Sequence, residues 1–517
     1  MLDKVSSELG YYFRSSRVIF MLKEIAQIDL AVLHCLNTSK TWIGKQLPTG
    51  ITRFLLGWYF IMSGSNVYGK ITPIKLFFLI AIPGMISMIA SSLWGLFDGI
   101  FVGNILGETA FAALNLAFPL VLINFSLADL IGVGSAVNIS ILLGKGKNDN
   151  ANNYFTCATL MIFIVGFIMG ALMFFFAPFL IEWMGADGEL KVMSIEYVRV
   201  YALTSPLTTM MFALDNFLRI CGKIKTSMTL NIIMSILILV LEYLCLGIFE
   251  MGIGGSALAV SLGMFICTLI ALYPFCRNQL TLRFCKPRFN TRMIRQIVAG
   301  GSPSFLSNIA GRLTSIVMNI VLLNIGGSIA VSAYGVLVYI GDTLQQFLYG
   351  TCDGIQPAIG YNYGAKAMDR VKKLIGCCMV ACAVISMSGT ALMLLFPETV
   401  VSIFMKEGEA ELLAMASYAI RIYAMTFLVK WFSFAIQSFL TALEIPLPAT
   451  ILSVANALIV PIALLPVLWP LGLNGIWLNT PITALIIALL ALIFFIQLRI
   501  KLTDGTQPQN NKTNKGH

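Results

Sequence analysis

Acids inside apolar stretches are the residues of this chain with the most chemistry to offer. The stretch Leu76–Gly103, LFFLIAIPGMISMIASSLWGLFDGIFVG, is apolar and longer than the about 20 residues that cross a bilayer. Asp98 stands near its far end. Pro83 removes a backbone donor near its start and invites a kink. A carboxylate in a spanning helix costs roughly 2.5–3.5 kcal/mol to insert, so such residues are usually paired or functional. Asp98 therefore reads as a site that binds a proton or cation and whose protonation state does work. The plainer alternative is an interfacial acid that simply meets water. Asp129 in FSLADLIGVG and Asp215 in FALDNFLR raise the same question, with cavity lining or capping of a kink as the other role for each.

Other polar residues in apolar runs fall into a few types. Arg312 is costly unless paired, and Asp342 or Asp353 are the partners within its region. A structural ion pair there is favoured over a substrate site. Gln345, Gln346 and Gln356 suit hydrogen bonds between helices. Lys430 snorkels or faces a cavity, and a cation there repels cationic solutes. The only histidines, His34 and His517, lie outside the apolar runs. The 11 cysteines show no disulfide framework and no metal-ligand spacing; packing is the expected role even for GCCMVAC at Gly376–Cys382. No metal site is expected, and no nucleophile motif, intramembrane histidine or nucleotide loop supports an enzyme.

The elements that position these residues are membrane helices. The chain is 58% hydrophobic and 11% charged, with a mean hydropathy of +0.87. A soluble chain carries about 25% charged residues. Twelve spans are expected, over about 76–102, 110–143, 153–179, 190–219, 226–249, 253–276, 292–325, 328–362, 369–396, 410–441, 447–470 and 474–498. The fold class is thus an all-α polytopic membrane protein. Lys and Arg gather before span one and after spans two, four, six, eight and twelve, as in Arg277–Arg295 and Lys366–Lys373. The alternate loops hold Glu108, Glu182–Glu189, Glu250 and the Glu398–Glu411 group. The formal charge of +10 follows from this pattern rather than from nucleic-acid binding. Both termini are expected in the cytoplasm.

The chain also repeats. Pro83 and Pro303 lie 303 − 83 = 220 residues apart, and the same offset joins Gly134 to Gly354, Gly144 to Gly364, Gly252 to Gly472 and Gly255 to Gly475. Two halves of six spans follow, in the same orientation, related by an axis along the membrane normal. The expected organisation is a cytoplasmic or interfacial extension over 1–70, a first lobe over 71–276 and a basic linker over 277–291. A second lobe over 292–498 and a polar tail over 499–517 complete it. Within the extension, Arg17–Leu36 suits an amphipathic helix and Phe54–Met62 is a short apolar run.

Several segments resemble the MATE family of multidrug and toxic compound extruders, its DinF-like and MepA-like bacterial branch in particular. They are IPGMISMIASSLWGLFDGIFVGNILGETAFAAL, FLRICGKIKTSM, SAYGVLVYIGDTLQQFLYGTCDGIQPAIGYNYGAKAMDRVKKL and LGLNGIWLNTPI. The resemblance covers about 70–500. It implies a V-shaped twelve-helix fold of two six-helix lobes in a bacterial inner membrane. It implies efflux of small organic compounds, cationic ones among them, by alternating access against inward H⁺ or Na⁺, with no other cofactor, membrane lipids as surroundings and a monomeric state. The alternative is a flippase for lipids or lipid-linked oligosaccharides, which needs a strongly basic cavity; Arg312, Arg421 and Lys430 are few for that.

The resemblance also implies site residues. Asp98 matches the family's first-span acid, and Glu242, in Ile238–Glu242, takes the place of its fifth-span acid. Ile238 and Val260 stand where the family often has Asn and Thr. Na⁺ must exchange water for several protein oxygens, whereas a proton needs one carboxyl that favours its neutral form. The two replacements therefore favour H⁺ at Asp98 and Glu242. Water, backbone carbonyls, Asn115 or Ser261 could restore an oxygen cage. The topology has a direct check: a reporter fused after Lys501 is expected to be active only on the cytoplasmic side. Activity confined to the external side would overturn the assignment.

Overall fold

A backbone in lipid must bond to itself, and long apolar runs do so as helices. The computed structural model describes residues 67–403 and 410–504, and these lie within one packing unit, Ser65–His517. Most of the expected extension, with Arg17–Leu36 and Phe54–Met62, lies outside the described residues. Glu407, Glu409 and residues 505–517 of the tail do as well. The described residues are helical with no strand among them.

Twelve long helices occur among the described residues. They are α1 (Pro73–Leu106), α2 (Glu108–Gly144), α3 (Asn148–Trp183), α4 (Gly188–Ile220), α5 (Ile224–Glu242) and α6 (Gly252–Cys276). The second six begin with α7 (291–326) and α8 (328–364), then α9 (Met368–Leu395) and α10 (Ala410–Ala442). The last two are α11 (446–468) and α12 (Gly472–Asp504). A π-helical turn, Tyr243–Ile248, follows α5, and another, Ala455–Ile459, lies within α11.

The repeat is written into the backbone. Gly327 has φ 67° and divides α7 from α8; Gly107, at φ 89°, divides α1 from α2, 220 residues earlier. Gly252 and Gly472, with φ of 66° and 56°, open the sixth helix of each half. Glycine reaches this left-handed region without the steric cost other residues meet. Four helix starts and breaks are thereby set at matching places.

The two halves meet through helices whose backbones nearly touch. A Cβ on Gly144 would lie 2.0 Å from the Tyr361 carbonyl oxygen, and one on Gly364 would lie 2.2 Å from that of Ile141. Both residues of each contact keep the 220-residue offset, so the contacts exchange under a pseudo-twofold axis. Further along, Gly301 of α7 leaves no room for a Cβ against the Leu130 carbonyl, nor Gly84 of α1 against that of Gly350. Small residues allow such close approach where helices gain by packing rather than by leaving water.

The end of the bundle bearing the basic loops is tied by hydrogen bonds as well. Arg370 Nη2 donates to the carbonyls of Tyr68 and Ile71, and Asn362 Nδ2 donates to that of Tyr68 at 3.2 Å. The Tyr68 hydroxyl in turn donates to the Arg219 carbonyl of α4. Val67 and Tyr68 are buried, so the last residues of the expected extension belong to the core. The linker between the halves is irregular and crosses the start of α3. There Arg283 N–H donates to Asn152, Cys285 N–H to Thr156 and Arg288 N–H to Asn153, while Phe284 packs on Phe155.

These contacts predict a steric test. Gly144→Ala is expected to destabilise by about 1–3 kcal/mol, because backbone rather than a flexible side chain must yield. Gly311→Ala, where a Cβ meets nothing within 4 Å, should leave the melting temperature in detergent unchanged or raised.

Candidate functional site

α1 carries Asp98 to a point where α5 and α6 also end or begin. Asp98 is 2% exposed and Glu242 0%. Glu242 is the last residue of α5 before the π-helical turn Tyr243–Ile248. Such turns widen the helix locally and are frequent at functional sites. Gly252 starts α6 so that Ser256, fully buried, falls between the two acids. Its hydroxyl donates to Asp98 Oδ1 at 2.8 Å and lies 3.5 Å from Glu242 Oε1. The two carboxyl groups are themselves within hydrogen-bonding range of each other. Among the described residues nothing donates to Glu242 Oε2, which is buried.

The pair is surrounded by buried side chains. Tyr197 of α4, 2% exposed, faces both acids. Ile238 and Val260 are buried and apolar, and Ile238 fills the space a side chain on Gly263 would need. Glu196 of α4 accepts from the N–H of Gly254 in the first turn of α6. A carboxylate there complements the positive helix end and holds Ser256 in register.

Other sequence candidates lie elsewhere. Asn115 is exposed and donates to its own helix, at Phe111 O. Ser261 is buried, and its hydroxyl has no hydrogen-bond partner among the described residues. Asp129 of α2 faces Asp353 of α8 across the boundary of the halves. Asp353 Oδ1 accepts from Gln356 Nε2 at 2.7 Å and from Ser438 Oγ at 3.1 Å. Gln345 is buried and Gln346 half-buried. Asp342 faces Lys430 and Arg312, which makes it rather than Asp353 the acid near Arg312. The Lys430 ammonium also stands 5.4 Å from the Phe427 ring centre.

Asp215 belongs to a separate network about three helical turns along α1 from Asp98. It pairs with Arg219, whose guanidinium is 2.5 Å from Asp215 Oδ2, and it accepts from Ser227 and from Asn231 Nδ2. Asn231 also donates to Ser87 of α1 at 2.7 Å. The basic-loop pattern places Arg219 in a loop; the structure buries it to 4% exposure and uses its charge inside. Sequence reasoning also passed over Ser256, Tyr197 and Glu196. Glu196 is the one with a visible signal, an acid eight residues into an otherwise spanning segment.

The Asp215 network predicts a stability effect. Asp215→Asn strands a buried guanidinium and is expected to cost about 3–5 kcal/mol. Arg219→Met added to Asp215→Asn should recover part of the loss in a thermal melt. An unchanged melt for the single variant would show that the pair does not hold α4 to α5.

The MatE family profile matches residues 83–244 and 303–467, once in each half and starting at the two equivalent prolines. Multidrug export protein MepA of Staphylococcus saprophyticus is 25% identical over 435 residues, covering 82% of this chain and 93% of that one. MepA of Staphylococcus aureus (strain NCTC 8325 / PS 47) is 25% identical over 435 residues, covering 82% and 94%. A crystal structure of MATE in complex with MaL6 superposes with a TM-score of 0.79 at 21% identity, covering 87% of this chain and 99% of that chain. A MOP superfamily transporter from Pyrococcus furiosus, described as having a binding pocket of reversed polarity, gives 0.79 at 22%, covering 87% and 98%. The two solved structures share the fold of this chain.

Proposed function

The chain belongs to the MATE family of transporters, and on that premise we propose that it exports small organic compounds in exchange for protons bound at Asp98 and Glu242. Its similarity to MepA, a multidrug export protein, supports a broad range of organic substrates. The observation that carries the coupling role is the buried carboxyl pair bridged by Ser256. Two bare carboxylates this close, both buried, repel strongly. The site therefore holds a proton or a metal cation between its oxygens.

The lining favours the proton. A sodium ion would need several oxygens at once. Ile238 and Val260, one helical turn from Glu242 and Ser256, present only carbon, and Ser256 already donates its hydroxyl proton to Asp98. A proton needs no cage. Loading it removes one negative charge and turns a carboxylate into a donor, which changes what α1, α5 and α6 can share. That change in contacts biases the equilibrium between arrangements of the two halves. The close contacts at the basic-loop end are the ones that must part for a solute to enter from that side. Release of the proton restores repulsion within the pair and resets the cycle.

Proteoliposomes test this directly. Export driven by a pH gradient alone is expected, with little or none under a sodium gradient alone. Raising the pH on the proton-donating side should slow transport, because fewer pairs are loaded there. Asp98→Asn should abolish coupled export while the melting temperature stays near that of the parent. Glu242→Asp, which keeps the acid and loses one methylene, should retain partial activity. Full transport with sodium and none with the pH gradient would reject proton coupling, and undiminished export by Asp98→Asn would reject Asp98 as its site.

A further inference from the structure

Three cysteines converge in the second half of the protein, away from the carboxyl pair. Cys378 and Cys382 are four residues apart on α9 and so share one face of that helix. Cys352 of α8 faces them. Its sulfur lies 3.3 Å from Cys382 Sγ and 3.8 Å from Cys378 Sγ, and the three sulfurs lie within 4.8 Å of one another. All three residues are 0% exposed. The Cys378 thiol is 4.0 Å from the Thr351 carbonyl oxygen.

We propose that Cys352, Cys378 and Cys382 form a binding site for a trivalent thiophilic metalloid taken up as its neutral hydroxide, the class to which arsenous acid belongs. Spacing is the first reason. An atom held about 2.3 Å from each of three sulfurs sets them roughly 3.4–4.0 Å apart, depending on the bond angle. The sulfurs need only a small adjustment to reach that arrangement. Softness is the second. Thiolates select soft centres over Mg²⁺, Ca²⁺ or Na⁺.

Charge decides among soft centres. Three thiolates around a monovalent ion would leave two negative charges, and around a divalent ion one, at a fully buried position. A trivalent centre leaves none. The exchange is also balanced without redox chemistry. Three S–H and three As–OH bonds break, three As–S bonds form, and three waters leave with the thiol protons. The incoming hydroxide is uncharged, so it does not carry a charge through apolar surroundings.

Access and consequence follow from the neighbours. Asp353 follows Cys352 in the chain, is only half-buried, and is near enough to Cys378 and Cys382 to interact with both. With Gln356 and Ser438 it provides polar surroundings for the departing waters. Ligation would fasten α8 to α9 at mid-helix. Cys377 does not take part: it lines an apolar groove against α1 with Phe77, Phe78 and Val380.

The test uses the purified full-length chain in detergent with a phosphine reductant. It is incubated with sodium arsenite, desalted, and assayed for retained arsenic by elemental mass spectrometry. One arsenic per chain is expected, together with a raised melting temperature. Cys352→Ala, Cys378→Ala and Cys382→Ala should each lower retention by roughly tenfold or more, about 1.4 kcal/mol per tenfold. Cys377→Ala should retain the parent stoichiometry. Melting without arsenite shows that each variant is folded, and Cys→Ser versions provide a second set. Retention that survives Cys352→Ala, or that requires Cys377, would overturn the site. Retention of Cd²⁺ or Zn²⁺ with none of arsenite would overturn the charge argument.

Discussion

Charge removed from water is the constraint on which this structure depends. Among the described residues, the buried charged side chains are met by specific partners, and those partners decide which helices touch. Asp215 is met by Arg219, Ser227 and Asn231, which fixes α4 against α5 and, through Ser87, against α1. Asp353 is met by Gln356 and Ser438, which joins α8 to α10. Asp98 and Glu242 differ: their nearest charged neighbour is each other, with one serine hydroxyl between them. A network satisfied by opposite charge is a fastening. A pair of like charges is stable only when something else binds, and that is the physical basis of the coupling role proposed for it.

The packing between the halves answers to a second constraint. Helices in a membrane gain little by hiding apolar side chains from lipid, so close backbone approach carries more of the association. Gly144, Gly364, Gly301 and Gly84 provide that approach at three crossings, α2 with α8, α2 with α7 and α1 with α8. Because the crossings obey the internal repeat, they rest near a common axis. Contacts so arranged can part together, which suits alternating exposure of a site between the halves. The hydrogen bonds of Arg370 and Asn362 to the Tyr68 carbonyl add a polar latch at the same end.

Positioning of the carboxyl pair draws on features far apart in the chain. Gly252 sets where α6 begins, Glu196 caps its first turn, and the π-helical turn after Glu242 sets how α5 presents its last acid. None of these residues is the site, yet each governs a distance within it. Ile238 and Val260 are buried and present only carbon, and Ile238 packs into the space beside Gly263.

Much of the architecture was determined by the sequence alone. Twelve spans follow from hydropathy because a backbone in lipid has few alternatives, and the 220-residue repeat follows from prolines and glycines whose backbone demands are local. Asp98 announced itself because an acid in an apolar run is expensive wherever it points. Arg219 did not: beside Lys223 and Lys225 it looks like any loop cation, and only the folded chain shows it buried. Ser256, Tyr197 and Glu196 are ordinary residues until α4, α5 and α6 converge. Cys352 and Cys382 are separated by the last third of α8, a loop and the first half of α9, so their 3.3 Å contact exists only in three dimensions. Sequence fixes a residue's cost in the membrane; tertiary structure decides which neighbour meets that cost, because the neighbour arrives from another helix.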